Sequence, residues 1–354
     1  MTDSLLVTGT EDSIGKTGIA LALARLARDS GEGATVGYMK PKGTRLESNV
    51  GKTLDADPML ARELLDLDEE MHELEPVVYS PTFVQQAVRG RENAEDVADR
   101  VKEAYDAIAA DRDLVVLEGG GGPETGSVIS LTDRDVADLV DARVLVVASY
   151  EEPWDVDAAL AYAESFGDRL AGVVFNGVPD QAYDELETDV LPFLEGRGVP
   201  VHGVVPRVQD LAGVTVGDLA EELGATTLTD VPTDAYVERF SVGAMSGDEA
   251  LRQFRRTKDA AVITGGDRSE IHTAALEAPG VKCLILTGGH RPPGAVLGKA
   301  TEKGVPVLSV QSDTLTTVER ADAVVRSGRA RDERTVDRVQ ELVTAHVDVD
   351  AILN

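Results

Sequence analysis

Short apolar runs alternate with longer stretches of helical apolar period along the first two thirds of the chain. Continuous apolar runs predict strands buried on both faces of a parallel sheet, and a 3.6-residue period predicts helices that cover it. The predicted strands are 5–7, 35–39, 114–117, 143–148, 172–175 and 203–205. The predicted helices are 19–27, 58–65, 94–110 and 153–166, with a closing helix at 210–223. This order indicates a first domain over residues 1–225 with an α/β fold.

The pattern weakens over residues 226–233, where Thr, Asp and Pro dominate and a linker is predicted. A second, smaller α/β domain is predicted for residues 234–331. Its predicted strands are 260–264, 283–287 and 305–309, and its predicted helices are 247–254, 269–277, 294–302 and 314–320. Residues 332–354 predict an acidic amphipathic C-terminal helix, which would pack on the body or on another subunit.

The net charge of the chain limits the classes of partner that it is expected to bind. Among 354 residues there are 64 Asp and Glu against 34 Lys and Arg, a formal net charge of −30. Such a surface repels nucleic acid and anionic membranes, so neither is expected as a partner. The acidic residues are spread along the whole length, which favours a folded halophilic protein from a salt-adapted cytoplasm, where a Debye length of about 3 Å screens self-repulsion.

Other residue types exclude several kinds of site. The single cysteine, Cys283, excludes an intramolecular disulfide and lies in a predicted buried strand. The five histidines show no metal-ligand spacing, so no zinc site is indicated. No basic leader precedes the first strand, and no apolar stretch approaches the roughly 20 residues of a membrane span. A cytoplasmic location is therefore expected.

The most specific motif follows the first predicted strand and opens the first helix. It is Gly9-Thr10-Glu11-Asp12-Ser13-Ile14-Gly15-Lys16-Thr17, followed by Gly18. A glycine-rich turn at a helix start directs backbone N–H groups toward an anion, while Lys16 reaches the β/γ-phosphates and Thr17 ligates Mg²⁺. Five residues separate Gly9 from Gly15, so this is a long variant of the P-loop. It predicts a P-loop NTPase-type sheet domain that binds a nucleoside triphosphate.

Polar residues at the ends of other predicted strands should converge on the same place, because ligands of α/β sheets bind at the carboxyl ends of the strands. Lys40 is placed to neutralise a phosphate or an anionic substrate. Glu118 precedes a run of four glycines, and a role as a Mg²⁺ ligand is favoured for it over that of a solvated loop acid. Asp55 and Asp57 are metal ligands or helix N-caps, and Asn176 pairs with a base edge or serves a turn beside Gly177.

Together these residues resemble the dethiobiotin synthetase-like branch of P-loop proteins, over roughly the first 225 residues. The resemblance implies ATP and Mg²⁺ as ligands. It implies phosphate contacts, and the catalytic charges, for Lys16 and Lys40. It implies Mg²⁺ ligation by Thr17, Glu118 and Asp57 or Asp55, and a base contact for Asn176. The loop residues from Gly9 to Gly18 would hold the nucleotide.

Two departures separate this chain from the synthetases. Glu11-Asp12 replaces the Asp-Thr of that family's loop, which adds negative charge beside the phosphates. Thr44 keeps a hydroxyl after the Lys-Pro pair, but Arg45 replaces the glycine used for the diamino acid substrate. Biotin chemistry is therefore not the expectation.

The second half resembles the DRTGG domain, through Gly266-Asp267-Arg268, Leu286-Thr287-Gly288-Gly289 and the segment from Phe240 to Ser246. The two-domain order is similar to the amino-terminal regulatory part of long phosphate acetyltransferases, which continue into a catalytic domain. Because this chain stops at Asn354, it is not expected to be a transacetylase by itself. The glycine-rich turns, with Asp267, Arg268, His290 and Arg291, bind a small anionic effector or serve as tight turns with an Asp267–Arg268 ion pair.

Two functions follow from these observations. The first is a MgATP-binding regulatory protein of acetyl-CoA or acetate metabolism, with an acyl-CoA enzyme as partner and a homodimer as the expected assembly. The second is an ATP-dependent ligase of the dethiobiotin synthetase type, which would activate a carboxylate or carbamate. The added second domain and Arg45 favour the first, and the complete set of Lys16, Thr17, Lys40 and Glu118 supports the second.

Overall fold

The computed structural model describes residues 2–30, 34–44, 46–49, 52–208, 211, 213–327 and 332–353. Arg45 and Asp210, used in the sequence argument above, lie outside the described residues. The chain divides into two compact units: Met1–Arg207 with Ala330–Asn354, and Val208–Arg329. The second unit is therefore an insertion in the first, and its boundary falls at residue 208 rather than at the predicted linker 226–233.

The first unit is built on a six-stranded parallel sheet with strand order β10-β9-β8-β1-β7-β2. These strands are β1 (Asp3–Gly9), β2 (Val36–Met39), β7 (Leu114–Glu118), β8 (Arg143–Ala148), β9 (Leu170–Val178) and β10 (Val201–Pro206). Short strands beside it are β3 (Lys42–Gly43), β4 (Leu46–Asn49), β5 (Lys52–Asp55) and β6 (Val77–Val78). β4 and β5 form an antiparallel hairpin that the apolar pattern did not predict.

Helices of the first unit include the predicted ones and others that the apolar period did not predict. They are α1 (Lys16–Asp29), α2 (Ala56–Leu64), α3 (Met71–Leu74), α4 (Pro81–Val88), α5 (Ala94–Ala109), α6 (Asp133–Val140), α7 (Asp155–Glu164), α8 (Asp180–Glu185) and α9 (Leu191–Gly196). The predicted helices are observed as α1, α2, α5 and α7. Leu5, Leu6 and Val7 of the central β1 are fully buried. A strand with no exposed face needs the continuous apolar run found there, which explains why its position was readable from the sequence.

The second unit has its own five-stranded sheet, with strand order β12-β17-β16-β15-β14. The strands of the unit are β11 (Val214–Thr215), β12 (Thr226–Thr227), β13 (Tyr236–Val237), β14 (Arg239–Val242), β15 (Ala260–Gly265), β16 (Val281–Thr287) and β17 (Val307–Ser309), of which β11 and β13 lie outside that sheet. Its helices are α10 (Val216–Glu222), α11 (Gly247–Phe254), α12 (Ser269–Leu276), α13 (Gly294–Lys303) and α14 (Thr314–Ser327). Cys283 is buried in β16, as the sequence predicts.

The predicted closing helix at 210–223 and the predicted linker differ from the structure. Residues 214–215 form β11, and only Val216–Glu222 is helical. Val216 and Leu219 pack in a core of the second unit with Ile285 and Leu308, so this helix belongs there. Thr226 and Thr227 within the predicted linker pair antiparallel with β17. Short polar strands like these carry no apolar period, which is why the pattern resembled a linker.

The C-terminal segment, residues 332–353, is named here the return segment. It forms α15 (Glu333–His346) and α16 (Val349–Leu353). Asp332 caps α15 by accepting a hydrogen bond from the Thr335 amide at 2.9 Å. The apolar side of α15, including Val336 and Val343, is buried in the first unit. Of the two predicted packing sites for this helix, the body of the protein is the one observed.

Candidate nucleotide-binding site

The glycine-rich loop joins β1 to α1, and its two flanking glycines are required by their surroundings. Gly15 has φ of 91°, and a Cβ on it would lie 2.4 Å from Asn176 Nδ2. A Cβ on Gly9 would lie 2.7 Å from Ile14 Cγ2. Separations this short cannot be accommodated, so a side chain at either position would force the loop to move. The loop is thus fixed from both ends.

The loop leaves the start of α1 open to a ligand. Gly15 is the N-cap, and no side chain in the described part of the chain makes a cap hydrogen bond there. The first turn carries no acidic residue. The first N–H groups of a helix have no acceptor within the helix, and the helix dipole makes this end favourable for an anion. This 14-residue helix therefore presents donors suited to a phosphate group.

Lys16 lies with its ammonium group above the loop. Nζ donates to the backbone oxygens of Glu11 at 2.9 Å and Gly121 at 2.8 Å. The side chain is 6% exposed, and burial lowers the pKa of Lys16 from its ordinary value, an effect opposed by the carboxylates of Asp133, Asp12 and Glu118. Both of its partners are neutral carbonyls, so the charge is available to an anion that replaces them.

Thr17 and Glu118 meet below the loop. The Thr17 hydroxyl donates to Glu118 Oε1 at 2.7 Å, and the Tyr38 hydroxyl donates to Glu118 Oε2 at 2.6 Å. Burial, with Asp57 nearby, raises the pKa of Glu118 to about 7. A hydroxyl and a carboxylate are oxygen ligands of the kind Mg²⁺ takes, so this pair fits the ion in its donor chemistry.

Lys40 lies among three carboxylates at the end of β2. Its Nζ is 3.0 Å from Asp55 Oδ2 and 3.4 Å from Glu118 Oε1, and it also donates to Asp57. Lys40 is 1% exposed and all three acids are buried. The predicted phosphate-binding lysine and the predicted metal ligand Asp57 are thus paired with each other. Their roles toward phosphate and Mg²⁺ stay predictions.

Asp55 is an N-cap, one of the two roles that the sequence left open. Its Oδ1 accepts from the Asp57 amide at 2.9 Å at the start of α2, and its Oδ2 accepts from the Thr44 amide at 2.8 Å. Behind it lies Glu75, which accepts from the Asp55 amide at 2.9 Å. Burial raises the pKa of Glu75 to about 7, and its Oε1 has no hydrogen-bond partner among the described residues.

A second buried ion pair, Lys42 with Asp133, was not predicted. Lys42 Nζ donates to Asp133 Oδ1, and Thr8 donates to Asp133 Oδ2. Tyr162 lies 2.8 Å from the Thr8 hydroxyl. A Cβ on Gly119 would lie 2.0 Å from Asp133 Oδ2, so the glycine run is shaped around this pair. The sequence did contain one indication that Lys42 belongs to the site. Only nine lysines occur in the chain, and Lys16, Lys40 and Lys42 are three of them.

Other residues predicted for the site form hydrogen bonds within the loop or to it. Asn176 Nδ2 donates to the Ile14 oxygen at 2.8 Å, which fixes its amide against the loop. Glu11 accepts from the Ser149 hydroxyl at 2.6 Å, and the Ser13 amide donates to Asp12 at 2.8 Å. Thr10 donates its amide to the Val147 oxygen at 3.0 Å. The base contact predicted for Asn176 stays a prediction.

Two kinds of feature, a membrane-spanning helix and a metal-binding cluster, are absent from the described residues. No helix there is long and apolar enough to cross a membrane. No group of three or more His, Cys, Asp or Glu side chains in the same ranges is arranged to hold a metal ion. At many phosphate sites Mg²⁺ is bound by one or two protein oxygens together with phosphate oxygens of the ligand.

A family model described as AAA domain matches residues 3–215, more than half of the chain. The chain belongs to this AAA-domain family. A second model, described as DRTGG domain, matches residues 218–324. The AAA domain accounts for the P-loop-type site, and the predicted resemblance of the second half to the DRTGG domain is confirmed.

Relatives of known name are similar to more than half of this chain. Phosphate acetyltransferase of Pseudomonas putida is 24% identical over 98% of this chain and 50% of its own length. Phosphate acetyltransferase of Haemophilus influenzae is 22% identical over 100% and 53%. Cobyric acid synthase of Streptococcus sanguinis is 29% identical over 59% and 46%. The chain thus spans about half the length of these relatives, and the matches support a nucleotide-binding regulatory role.

Solved structures are similar at lower levels. MinD cell division protein of Aquifex aeolicus aligns with a TM-score of 0.38 at 14% identity, over 59% of this chain and 84% of its own. The CBS and DRTGG domains of Clostridium perfringens pyrophosphatase, complexed with diadenosine tetraphosphate, align with a TM-score of 0.27 at 18% identity, over 38% and 68%.

Within the DRTGG domain, Arg268 has a structural task. Its guanidinium donates to the Gly243 and Met245 oxygens at 2.7 Å each, and it lies 3.6 Å from Glu270. The ion pair predicted with Asp267 is therefore made with Glu270. His290 and Arg291 are exposed in the turn after β16. An effector site at these turns stays a prediction.

Proposed function

We propose that this chain is a MgATP-binding regulatory protein, related to the amino-terminal part of phosphate acetyltransferase and acting in acetyl-CoA or acetate metabolism. The observation that carries the proposal is Lys16. It is a buried ammonium held only by the two backbone carbonyls that its hydrogen bonds record, beside an uncapped helix start. Placing a charge there without a carboxylate partner is costly unless an anion compensates it. A triphosphate is the anion that the P-loop-type motif favours.

Each residue has a distinct task in this proposal. The amides at the start of α1 donate to phosphate oxygens, and Lys16 turns from the Glu11 and Gly121 carbonyls to the β/γ-phosphates. When bound, Mg²⁺ would neutralise charge between the phosphates, held by Thr17 with Glu118. Lys40 keeps the nearby carboxylates compensated while the metal is absent. Asn176 holds the loop through its hydrogen bond to the Ile14 oxygen, and its amide is the proposed contact for a base edge.

The regulatory role is preferred because the AAA domain carries a DRTGG domain inserted before its return segment. A nucleotide on the first domain and a small anionic effector on the second would then be linked through one chain. An acyl-CoA enzyme is the proposed partner, since phosphate acetyltransferases are relatives that align with nearly the whole chain. A homodimer is the proposed assembly.

The second candidate is an ATP-dependent ligase of dethiobiotin synthetase type. It is supported by the three buried lysines, Lys16, Lys40 and Lys42, because ammonium groups beside a phosphate site can stabilise the charge that develops in phosphoryl transfer. Phosphate release separates the two candidates. A ligase releases phosphate when its carboxylate or carbamate substrate is present, whereas a regulatory ATP sensor binds with negligible turnover.

Replacing the loop lysine tests the site. Lys16→Ala should weaken ATP binding at least about tenfold, because a charged hydrogen bond contributes roughly 1.5–3 kcal/mol. Calorimetric titration of ATP with Mg²⁺ in molar KCl measures it. Lys102→Ala is the matched control, since Lys102 pairs with Asp106 on the exposed side of α5 and should leave affinity unchanged. Equal affinity in the Lys16 variant and the control would reject the site.

A further inference from the structure

The second unit is joined to the first at two places. It follows β10, which ends at Pro206, and it leads back into the first unit through the return segment. A ligand-dependent change in the second unit can reach the first only through these connections or through contacts between the units. The connections are covalent, so the chain itself provides this route between the second unit and the first.

The two connections, β10 and the return segment, contact each other through backbone hydrogen bonds. The Asp348 amide donates to the His202 oxygen in β10 at 2.8 Å, and Gly203 forms an isolated antiparallel bridge with Val347. A Cβ on Gly203 would lie 2.2 Å from the His346 oxygen, so β10 and the return segment approach with no room for a side chain. A displacement of one connection therefore moves the other.

The return segment also lies directly on the helix that begins at the phosphate loop. A Cβ on Gly18 would lie 3.2 Å from Val339 Cγ2, so α15 approaches α1 at the residue next to Thr17. Further along the same pair of helices, Arg25 and Asp337 form an ion pair at 2.7 Å. α15 thus contacts the first turn of α1, where the phosphate would be bound.

We propose that the return segment couples nucleotide occupancy of the AAA domain to the DRTGG domain, as a conformational relay built into the fold. This rests on the proposed function, since it needs a nucleotide at the loop. Occupancy of the helix start orders the first turn of α1, and the Gly18–Val339 contact passes that ordering to α15. The backbone contact at Val347 and Asp348 extends it to β10, the strand that leads into the second unit.

Coupling of this kind is reciprocal, because a ligand that favours one packing of α15 on α1 is itself favoured by that packing. Packed helices transmit small shifts well, since interiors are close-packed and do not deform continuously. The nucleotide should therefore stabilise the return segment as well as the loop. Ordering in the second unit should in turn raise affinity at the loop.

Hydrogen exchange of the full chain in molar KCl, with and without ATP and Mg²⁺, tests the relay. Calorimetry on the same samples establishes binding. We expect exchange in residues 333–346 to slow at least about fivefold on binding, the lower end of common allosteric couplings, together with a change in α14 of the second unit. Val339→Ala should bind ATP yet lose most of the slowing in α15.

Val336→Ala is the control, because Val336 is also a buried valine on α15, one turn away. It should keep the slowing. If Val339→Ala does not fold, Asp337→Asn applies the same test, since it breaks the half-exposed ion pair to Arg25. Binding without any change in α15, a change in α15 without any in α14, or an unaltered response in the Val339 variant would each overturn the relay. Absence of ATP binding in the unaltered chain would overturn the proposed function as well.

Discussion

At the scale of single residues, buried charge organises the site. Lys16, Lys40 and Lys42 are all at most 6% exposed, and each has a different kind of partner: carbonyls, three carboxylates and one aspartate. A buried ammonium needs compensation, and only Lys16 has just neutral acceptors among its recorded hydrogen bonds. This difference supports the proposal that Lys16 meets an anionic ligand, whereas Lys40 and Lys42 are already paired with carboxylates.

Removing Lys40 should be strongly destabilising. Lys40→Met leaves Asp55, Asp57 and Glu118 buried without their ammonium, and breaking a buried ion pair costs about 3–5 kcal/mol. Urea unfolding in molar KCl measures the loss. Lys102→Met is the control, because an exposed pair contributes about 1 kcal/mol or less. A loss in the Lys40 variant no larger than in the control would contradict the pairing.

His272 should give the stability a pH dependence. Burial lowers the pKa of His272 below its ordinary value, and its Nδ1 has no partner among the described residues. The folded state therefore holds the ring neutral, while the unfolded state takes up a proton below about pH 6.5. Stability is full above that pH and falls as the pH drops through it.

The measurement is the free energy of unfolding from pH 5 to 8. His272→Gln removes the titration and keeps a donor near the Gly265 oxygen, which His272 Nε2 contacts at 3.0 Å. The slope below pH 6.5 should then decrease. His346→Gln replaces an exposed histidine and should leave the slope as it was. A slope unchanged in the His272 variant would mean that other groups cause it.

Sequence alone identified residues whose chemistry is local. Lys16 and Thr17 lie within one motif, and Glu118 ends a buried strand, so their convergence followed from strand order. Lys42 and Asp133 are 91 positions apart and their pairing depends on how separate segments fold together, which no local pattern records. The same holds for Lys40: its position at a strand end was predicted, but its three carboxylate partners were not.

At the scale of elements, the turn between β1 and α1 combines two separate demands on one glycine. Gly15 needs a positive φ, and its Cβ position is already filled by Asn176. Gly90 has φ of 69° with nothing within 4 Å of a Cβ, so it isolates the first demand. The comparison separates backbone strain from steric exclusion.

Gly90→Ala should cost about 1–2 kcal/mol, the penalty of a left-handed conformation. Gly15→Ala should cost more and should also weaken ATP binding, because the loop must move away from Asn176. Adding Asn176→Ala to Gly15→Ala should recover part of the stability by opening space. Urea unfolding of the three variants decides it, and equal costs at the two glycines would mean that Asn176 does not constrain the loop.

Element boundaries were predictable where burial is complete on both faces, as in β1 and β7. They were not where short polar strands add to a sheet edge, as at Thr226–Thr227. The insertion of the second unit was missed for a related reason. Arg25 and Asp337 are 312 positions apart, and nothing in the periodicity of α15 reveals which helix it covers.

At the scale of the whole molecule, a net charge of −30 should make stability depend on salt. The Debye length falls from about 10 Å at 0.1 M to about 3 Å at 1 M, so self-repulsion is screened as salt is added. The unfolding temperature should rise steadily with KCl. Equal molar NaCl should give a similar rise, and the neutral osmolyte sucrose should give a smaller one. A melting temperature independent of KCl would contradict this account.

The central claim is that the chain binds MgATP at the glycine-rich loop and uses it as a signal. Calorimetric titration of ATP into the protein in molar KCl, with and without Mg²⁺ and with phosphate release followed in the same samples, tests it most directly. The account predicts saturable binding strengthened by Mg²⁺, with negligible phosphate release. Absence of binding would contradict the claim, and sustained release that rises with an added carboxylate substrate would favour the ligase instead.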